Sequence, residues 1–227
     1  EYYDPQVGMD TVKLLNALGL KVSVPTDLCC SLPKLSNGEF DAARPKAREL
    51  VRQLAAPARD QLPILASSTS CSMTLKAKYK SYLHMEDAES RAVARAVVDL
   101  CEYLREAHLG QLKAMLKPMS LKVLYHGPCQ LRSHHVGLPA VTLMRQIPAL
   151  DLHLSQADCC GIGGTYGYDV KKSGISRAIG TTLQDQAAEL RPDLVVCDSE
   201  TCRWNIESLT GVETIHPAQL LLRSLQS

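Results

Sequence analysis

The 227 residues are 45% hydrophobic and 22% charged, the composition of a folded globular chain, which excludes intrinsic disorder. Lys+Arg total 25 against Asp+Glu 24, a formal net charge of +1, so no basic face of the size that holds a phosphate backbone is expected and nucleic acid is excluded as a partner. The longest apolar runs, such as Ile64 to Ala66 and Leu220 to Leu222, fall far short of the ~20 residues that cross a bilayer. In chain order, Glu1 opens without an initiator Met or a signal-peptide pattern, and a missing upstream part is expected. A helical pattern over Val12 to Leu18 leads to a short extended run, Leu20 to Val24, and then to the pair Cys29-Cys30. An amphipathic helix is predicted over Glu39 to Leu54 and a strand over Pro63 to Ala66, closed by Ser68-Thr69-Ser70-Cys71. Asp87 to Leu116, with apolar Val93, Val97, Val98, Leu100, Leu104 and Leu109, reads as one long helix or a broken pair. A strand over Leu121 to Pro128 ends at Cys129. Helical Val141 to Arg145 and extended Leu150 to Leu154 precede Cys159-Cys160. A helix over Ile175 to Leu190 and a strand over Leu194 to Cys197 then lead to Ser199-Glu200-Thr201-Cys202.

Nine cysteines are too many for an ordinary reduced protein and too unevenly placed for a disulfide scaffold. Their spacing repeats. Cys29-Cys30 recurs as Cys159-Cys160 at an offset of 130, and Cys71 recurs as Cys202 at an offset of 131. Each third cysteine follows a strand, and each pair follows a helix and an extended run. The predicted fold class is therefore α/β, with two pseudo-repeated α/β units of mostly parallel sheet joined by a helical connector. The expected domains are a first unit at 1–85, the connector at 86–118 and a second unit at 119–227. Cys129 has no counterpart in the first unit, because 129 minus 130 falls before residue 1; the repeat predicts a cysteine just upstream.

Ligand sites in open α/β sheets gather at the carboxyl ends of strands, where these cysteines lie, so those of one unit are expected to converge. Thiolates are soft donors suited to iron–sulfur clusters and to zinc. Adjacent cysteines cannot both face one small ion from a regular helix or strand, whereas a multi-iron cluster accepts thiolates several ångströms apart. Gly161, Gly163 and Gly164 supply a permissive backbone after the second pair and unblocked amides that stabilise negative sulfur.

Cys129, Cys159-Cys160-Gly161 and Cys202, with the partial copy Cys29-Cys30 and Cys71, resemble the duplicated cysteine-rich CCG domain of heterodisulfide reductase B and glycolate oxidase iron–sulfur subunits. The phrases Tyr125 to Cys129, Cys159 to Gly167 and Glu200 to Trp204, followed by His216-Pro217, more closely resemble the C-type subunit of anaerobic glycerol-3-phosphate dehydrogenase. The likeness covers essentially the whole chain. It implies an iron–sulfur electron-transfer subunit in which Cys29, Cys30, Cys71, Cys129, Cys159, Cys160 and Cys202 bind metal, in a [4Fe-4S] cluster or, alternatively, as zinc ligands. It further implies a flavoprotein dehydrogenase partner that oxidises glycerol 3-phosphate, electron delivery towards membrane quinone, and a cytoplasmic location, peripheral on the inner membrane. An upstream ferredoxin-like part with two [4Fe-4S] clusters is implied as well. The alternatives are a subunit of a glycolate/lactate-type oxidase or heterodisulfide reductase-like complex, a structural zinc-binding docking module, and a thiol-disulfide reductase. The sequence departs from the fullest family motif, Cys-x-x-Cys, at Ser68 and Ser199.

Several residues read as structure. Cys101 is expected in a helix core. Cys197 is expected in the core of its strand, offset by roughly 7 Å from position 199 and thus poorly placed to replace it. His134-His135 is expected in a solvated loop, Trp204 in the core beside Cys202, and His216-Pro217 at a helix start. His126 reads either as a satisfied strand-end histidine or as a donor to cluster sulfur. The glycines of 161–167 do not follow a dinucleotide fingerprint, since position 166 is Tyr. No Ser/His/Asp set or carboxylate pair stands out.

Overall fold

The computed structural model describes residues 4–25 and 29–226. Helix α1 (Pro5–Ala17), α2 (Leu32–Ser36) and α3 (Phe40–Arg59) precede strand β1 (Ile64–Ala66). Helix α4 (Thr69–Met73) continues through a π-helical turn (Thr74–Lys78) into α5 (Tyr79–Leu83), followed by α6 (Ala88–Ala96), β2 (Val97–Asp99) and α7 (Leu100–Met115). Then come β3 (Lys122–Tyr125), α8 (Cys129–Arg132), α9 (Pro139–Met144), β4 (Asp151–Leu154) and a 3-10 turn (Tyr166–Tyr168). The chain ends with α10 (Ser173–Leu190), β5 (Leu194–Val196), α11 (Glu200–Thr210), β6 (Thr214–Ile215) and α12 (Pro217–Gln226). By packing, residues 23–100 form one unit and residues 1–22 with 101–227 the other.

In the larger unit, four parallel strands lie in the order β4-β3-β5-β6. The two central strands read Val-Leu-Tyr and Leu-Val-Val without polar alternation, the pattern of a parallel sheet covered on both faces. Leu124 and Val195 point into a cluster with Leu183, Ala187 and Ile206 of α10 and α11. Val123, Tyr125 and Val196, on the opposite face by alternation, are equally buried. The edge strand β4 carries Asp151 and His153, charged or polar residues that discourage further pairing. Helix α1 packs on α12, and Arg203, 3% exposed, donates to Asp4 Oδ2 at 2.6 Å and to the Cys197 carbonyl at 3.3 Å.

In the smaller unit, β1 and β2 pair in parallel, Ile64 opposite Val97. The apolar stripe Ala43, Ala47, Leu50, Val51, Leu54 and Ala58 of α3 follows helical periodicity and packs on α6. Asp87 caps α6, accepting the Ser90 amide at 2.9 Å.

The expected α/β class with parallel sheets is present. Three details differ from the sequence reading. The segment read as a wholly helical connector contains β2, because Val97 and Val98, β-branched neighbours counted towards a helix face, pair with β1 instead. The run Leu20 to Val24 joins no sheet; Val24 is 57% exposed and has no strand edge beside it. Trp204 is half-buried, and the buried residue beside Cys202 is Arg203. The packing division also cuts across the expected 1–85 and 119–227 repeat, because α1 packs with the second half of the chain. The repeat is a pattern of sequence, and packing follows contacts. Among the described residues, no helix is long and apolar enough to cross a membrane.

Leu124 is fully buried at the centre of the sheet. Leu124→Ala is expected to lower the unfolding free energy by about 2–5 kcal/mol, whereas Leu62→Ala should change it by less than about 0.5 kcal/mol. Leu62 is 54% exposed. Denaturant titration followed by circular dichroism measures both.

Candidate metal centre

Three neighbouring parallel strands deliver sulfur to the same end of the sheet. Cys129 is the first residue of α8, directly after β3; Cys159 and Cys160 follow β4; Cys202 lies in the first turn of α11, after β5. Because β4, β3 and β5 are adjacent and run the same way, their carboxyl ends converge, and so do the thiols. Cys129 is hydrogen-bonded to Cys159, Cys159 to Cys160, and Cys160 to Cys202. Cys202 in turn meets the Cys197 thiol and the Ser199 hydroxyl.

The backbone is shaped around the pair. Cys159 Sγ accepts the Gly161 amide at 3.3 Å, and the Ile162 amide donates to Cys160. This two-residue return needs a left-handed residue after the pair, and Gly161 supplies it with φ +96. A Cβ on Gly161 would lie 2.1 Å from the Ser176 carbonyl oxygen. Helix α10 therefore approaches the loop so closely that glycine is required twice, since a Cβ on Gly180 would meet Leu209 Cδ1 at 2.5 Å and the Cys160 carbonyl at 2.9 Å. Asn205 of α11 donates to the Cys160 carbonyl at 2.6 Å.

The smaller unit repeats this construction with different side chains. Cys29 Sγ accepts the Ser31 amide at 3.3 Å, the Leu32 amide donates to Cys30, and Cys30 Sγ lies 3.1 Å from Cys71 Sγ. Cys71 sits in α4 after β1, as Cys202 sits in α11 after β5. Tyr79 donates to the Cys30 carbonyl at 3.0 Å, the role that Asn205 plays for Cys160. Ser31 takes the left-handed conformation, φ 59, with its hydroxyl buried and without a partner among the described residues.

Crowding decides the charge. The Cys129 and Cys160 thiols, both donating to Cys159, hold Cys159 well below the ordinary thiol range; the Gly161 amide and His126 act in the same direction. The same bonds, seen from the donors, push Cys129 and Cys160 up, and burial adds to this. Cys202 is also raised; the Cys160 thiol lowers it, but Cys197 and burial prevail. In the smaller unit Cys29 is raised by its bond to Cys30 and by burial. Negative charge is thus favoured at Cys159 over its neighbours, and metal binding to the protonated thiols would displace protons. Among the described residues, no group of three or more His, Cys, Asp or Glu side chains is arranged to hold a single ion. The four thiols act on one another as a group, Cys129 being affected by Cys159, Cys160 and Cys202 alike.

All four second-unit cysteines singled out from sequence come together, as do Cys29, Cys30 and Cys71 in the smaller unit. Cys101 is buried in α7 and His134-His135 occupy a turn, as expected. His216 begins α12, its Nδ1 accepting the Ala218 amide at 3.0 Å. Cys197 is buried in the core on the same face as Val195, its amide still donating to the Ile215 carbonyl at 3.0 Å, and it also acts on Cys202. Asn205, Tyr79 and the glycine contacts of α10 carried no local motif.

Against known proteins, the family model described as the CCG cysteine-rich domain matches residues 1–76 and 123–207. The chain is 36% identical over 227 residues to the component designated C of the anaerobic glycerol-3-phosphate dehydrogenase of Escherichia coli, covering 99% of this chain and 56% of that protein. It is 29% identical over 205 residues to an uncharacterized iron–sulfur protein of Methanocaldococcus jannaschii, 88% of this chain and 37% of that protein. It is 24% identical over 238 residues to lactate utilization protein A 2 of Bacillus cereus, 99% of this chain and 95% of that protein. The chain thus spans about half, or less, of the first two relatives.

Two substitutions test the loop construction by thermal and chemical unfolding. Ser31→Gly removes a left-handed Cβ and an unsatisfied buried hydroxyl and is expected to stabilise by about 1 kcal/mol. Gly180→Ala and Gly110→Ala should have opposite signs although both lie within helices. The first places a Cβ against the Cys160 carbonyl and destabilises. The second meets nothing within 4 Å and stabilises by up to about 1 kcal/mol.

Proposed function

The chain belongs to the CCG cysteine-rich domain family, and from that membership we propose that it is the electron-carrying part of an iron–sulfur subunit in a flavin-linked dehydrogenase. The observation that carries this reading is the row Cys129, Cys159, Cys160 and Cys202, drawn from three strand ends into one place. These four thiolates hold one iron–sulfur cluster of the [4Fe-4S] type, and Cys29, Cys30 and Cys71 hold a second or degenerate one. Such a cluster, when bound, stores and releases single electrons. The protein's own residues present soft thiolates, direct the Gly161 and Ile162 amides at them, and pack Leu124, Ile162 and Ile206 in the core that holds Cys160 and Cys202, while Cys129 is exposed. Organic chemistry belongs to a partner flavoprotein.

The similarity to a component of an anaerobic glycerol-3-phosphate dehydrogenase favours glycerol 3-phosphate as the electron source and membrane quinone as the destination, at the cytoplasmic face of the inner membrane. A second reading, a lactate- or glycolate-oxidising complex, is favoured by one observation: the chain covers 95% of the lactate utilization protein. A zinc docking module fits less well, because the sulfurs do not surround one centre.

The test is iron and acid-labile sulfide analysis of the full-length protein purified anaerobically, with paramagnetic resonance after reduction of its complex by glycerol 3-phosphate or by lactate. Iron and sulfide with a signal produced by glycerol 3-phosphate is the expected result. A signal produced by lactate alone selects the second reading, and stoichiometric zinc without sulfide rejects both.

A further inference from the structure

His126 lies just past β3, its amide donating to the Val196 carbonyl at 2.9 Å, and its side chain is fully buried. Ring atom Nδ1 is 3.3 Å from Ser155 Oγ, and that oxygen accepts the Ala157 amide at 3.1 Å. Nε2 is buried with no hydrogen-bond partner. Ser155, already an acceptor, has one hydroxyl proton to place, and Nδ1 is the acceptor beside it. In this arrangement the imidazole proton sits on Nε2, where nothing among the described residues receives it. Full burial disfavours the charged imidazolium, and a neutral ring holds a single proton. His126 follows the last residue of β3 and precedes Cys129, and its partner Ser155 follows the last residue of β4 and precedes Cys159, so the ring stands at the strand ends from which these thiols come. A buried N–H without an acceptor is costly, and it is the kind of group that a bound anionic cofactor satisfies.

We propose that the Nε2–H of His126 donates a hydrogen bond to the iron–sulfur group held by Cys129, Cys159, Cys160 and Cys202, on its Cys159 side, with Ser155 orienting the ring. The proposal rests on the iron–sulfur reading above. A donor to sulfur stabilises the more negative, reduced state and raises the reduction potential of that cluster. Among the described residues of the smaller unit, no histidine acts on Cys29 or Cys30, so only one cluster is affected.

The experiment uses the full-length protein purified anaerobically, as wild type, His126→Leu, His126→Gln and Ser155→Ala, with iron and sulfide measured before redox titration by paramagnetic resonance. At equal loading, His126→Leu is expected to lower the reduction equilibrium constant of one cluster about tenfold, about 59 mV for a one-electron couple. His126→Gln, which keeps an N–H of similar reach, should recover most of this, and Ser155→Ala should fall between. Labelling with 15N-histidine should give a nitrogen coupling in the reduced wild type that is weakened in Ser155→Ala. Unmoved potentials at equal loading, or absence of the nitrogen coupling, overturn the proposal and leave the iron–sulfur reading standing. Absence of iron and sulfide from the wild type overturns that reading and the proposal with it. Should His126→Leu fail to fold, Ser155→Ala and the nitrogen coupling decide the question.

Discussion

Packing several ionisable thiols into one place is the constraint on which the rest of this structure depends. Each buried thiolate pays for desolvation and repels its neighbours, so the metal-free protein can hold little charge there. It concentrates the charge at Cys159, which accepts hydrogen from both flanking thiols and from the Gly161 amide. Cys129, Cys160 and Cys202 are pushed towards the protonated form, and a cationic metal core is what would let them ionise together. The loop, the glycines of α10 and the amide donors follow from that need: they bring backbone N–H groups, which carry no mobile charge, close to sulfur.

The two halves meet the same need with different residues. A left-handed residue follows each pair, Gly161 in one and Ser31 in the other. The carbonyl of each second cysteine is held by a side chain that follows the third cysteine in the chain, Asn205 of α11 in one and Tyr79 of α5 in the other. Where the fullest motif would have another thiol, Ser199 bonds to Cys202, whereas the Ser68 hydroxyl is buried without a partner. Both serines begin a helix from extended backbone, which explains how they occupy equivalent places. Among the described residues, the larger unit also brings Cys129, Cys197 and His126 to its thiols, and its sheet has four strands where that of the smaller unit has two.

Much of this was legible before any coordinates. Offsets of 130 and 131 between cysteine words reveal repeated architecture because ligand spacing is preserved when one strand-loop-helix plan is used twice. Strands β1, β3, β4 and β5 were visible as short apolar runs bounded by turn residues. The misreadings share one cause, namely that local pattern does not name the partner. Val97 and Val98 fit a helix face until β1 offers an edge, and Leu20 to Val24 fits a strand although none does. Cys197, expected in the core of its strand, is buried there beside Val195, and its contact with Cys202 comes from a segment that the local pattern does not name. The support supplied by Asn205, Tyr79, Ser176 and Gly180 comes from distant segments and leaves no trace at sequence level.

The central claim is that one multinuclear iron–sulfur group is bound by sulfurs from three separate strand ends. An anomalous difference map at the iron edge, from crystals of the full-length protein grown without oxygen, tests this directly. The account predicts iron density bonded to the sulfurs of residues 129, 159, 160 and 202 together. Iron density elsewhere, anomalous signal at the zinc edge alone, or those four sulfurs turned into separate apolar interiors would contradict it.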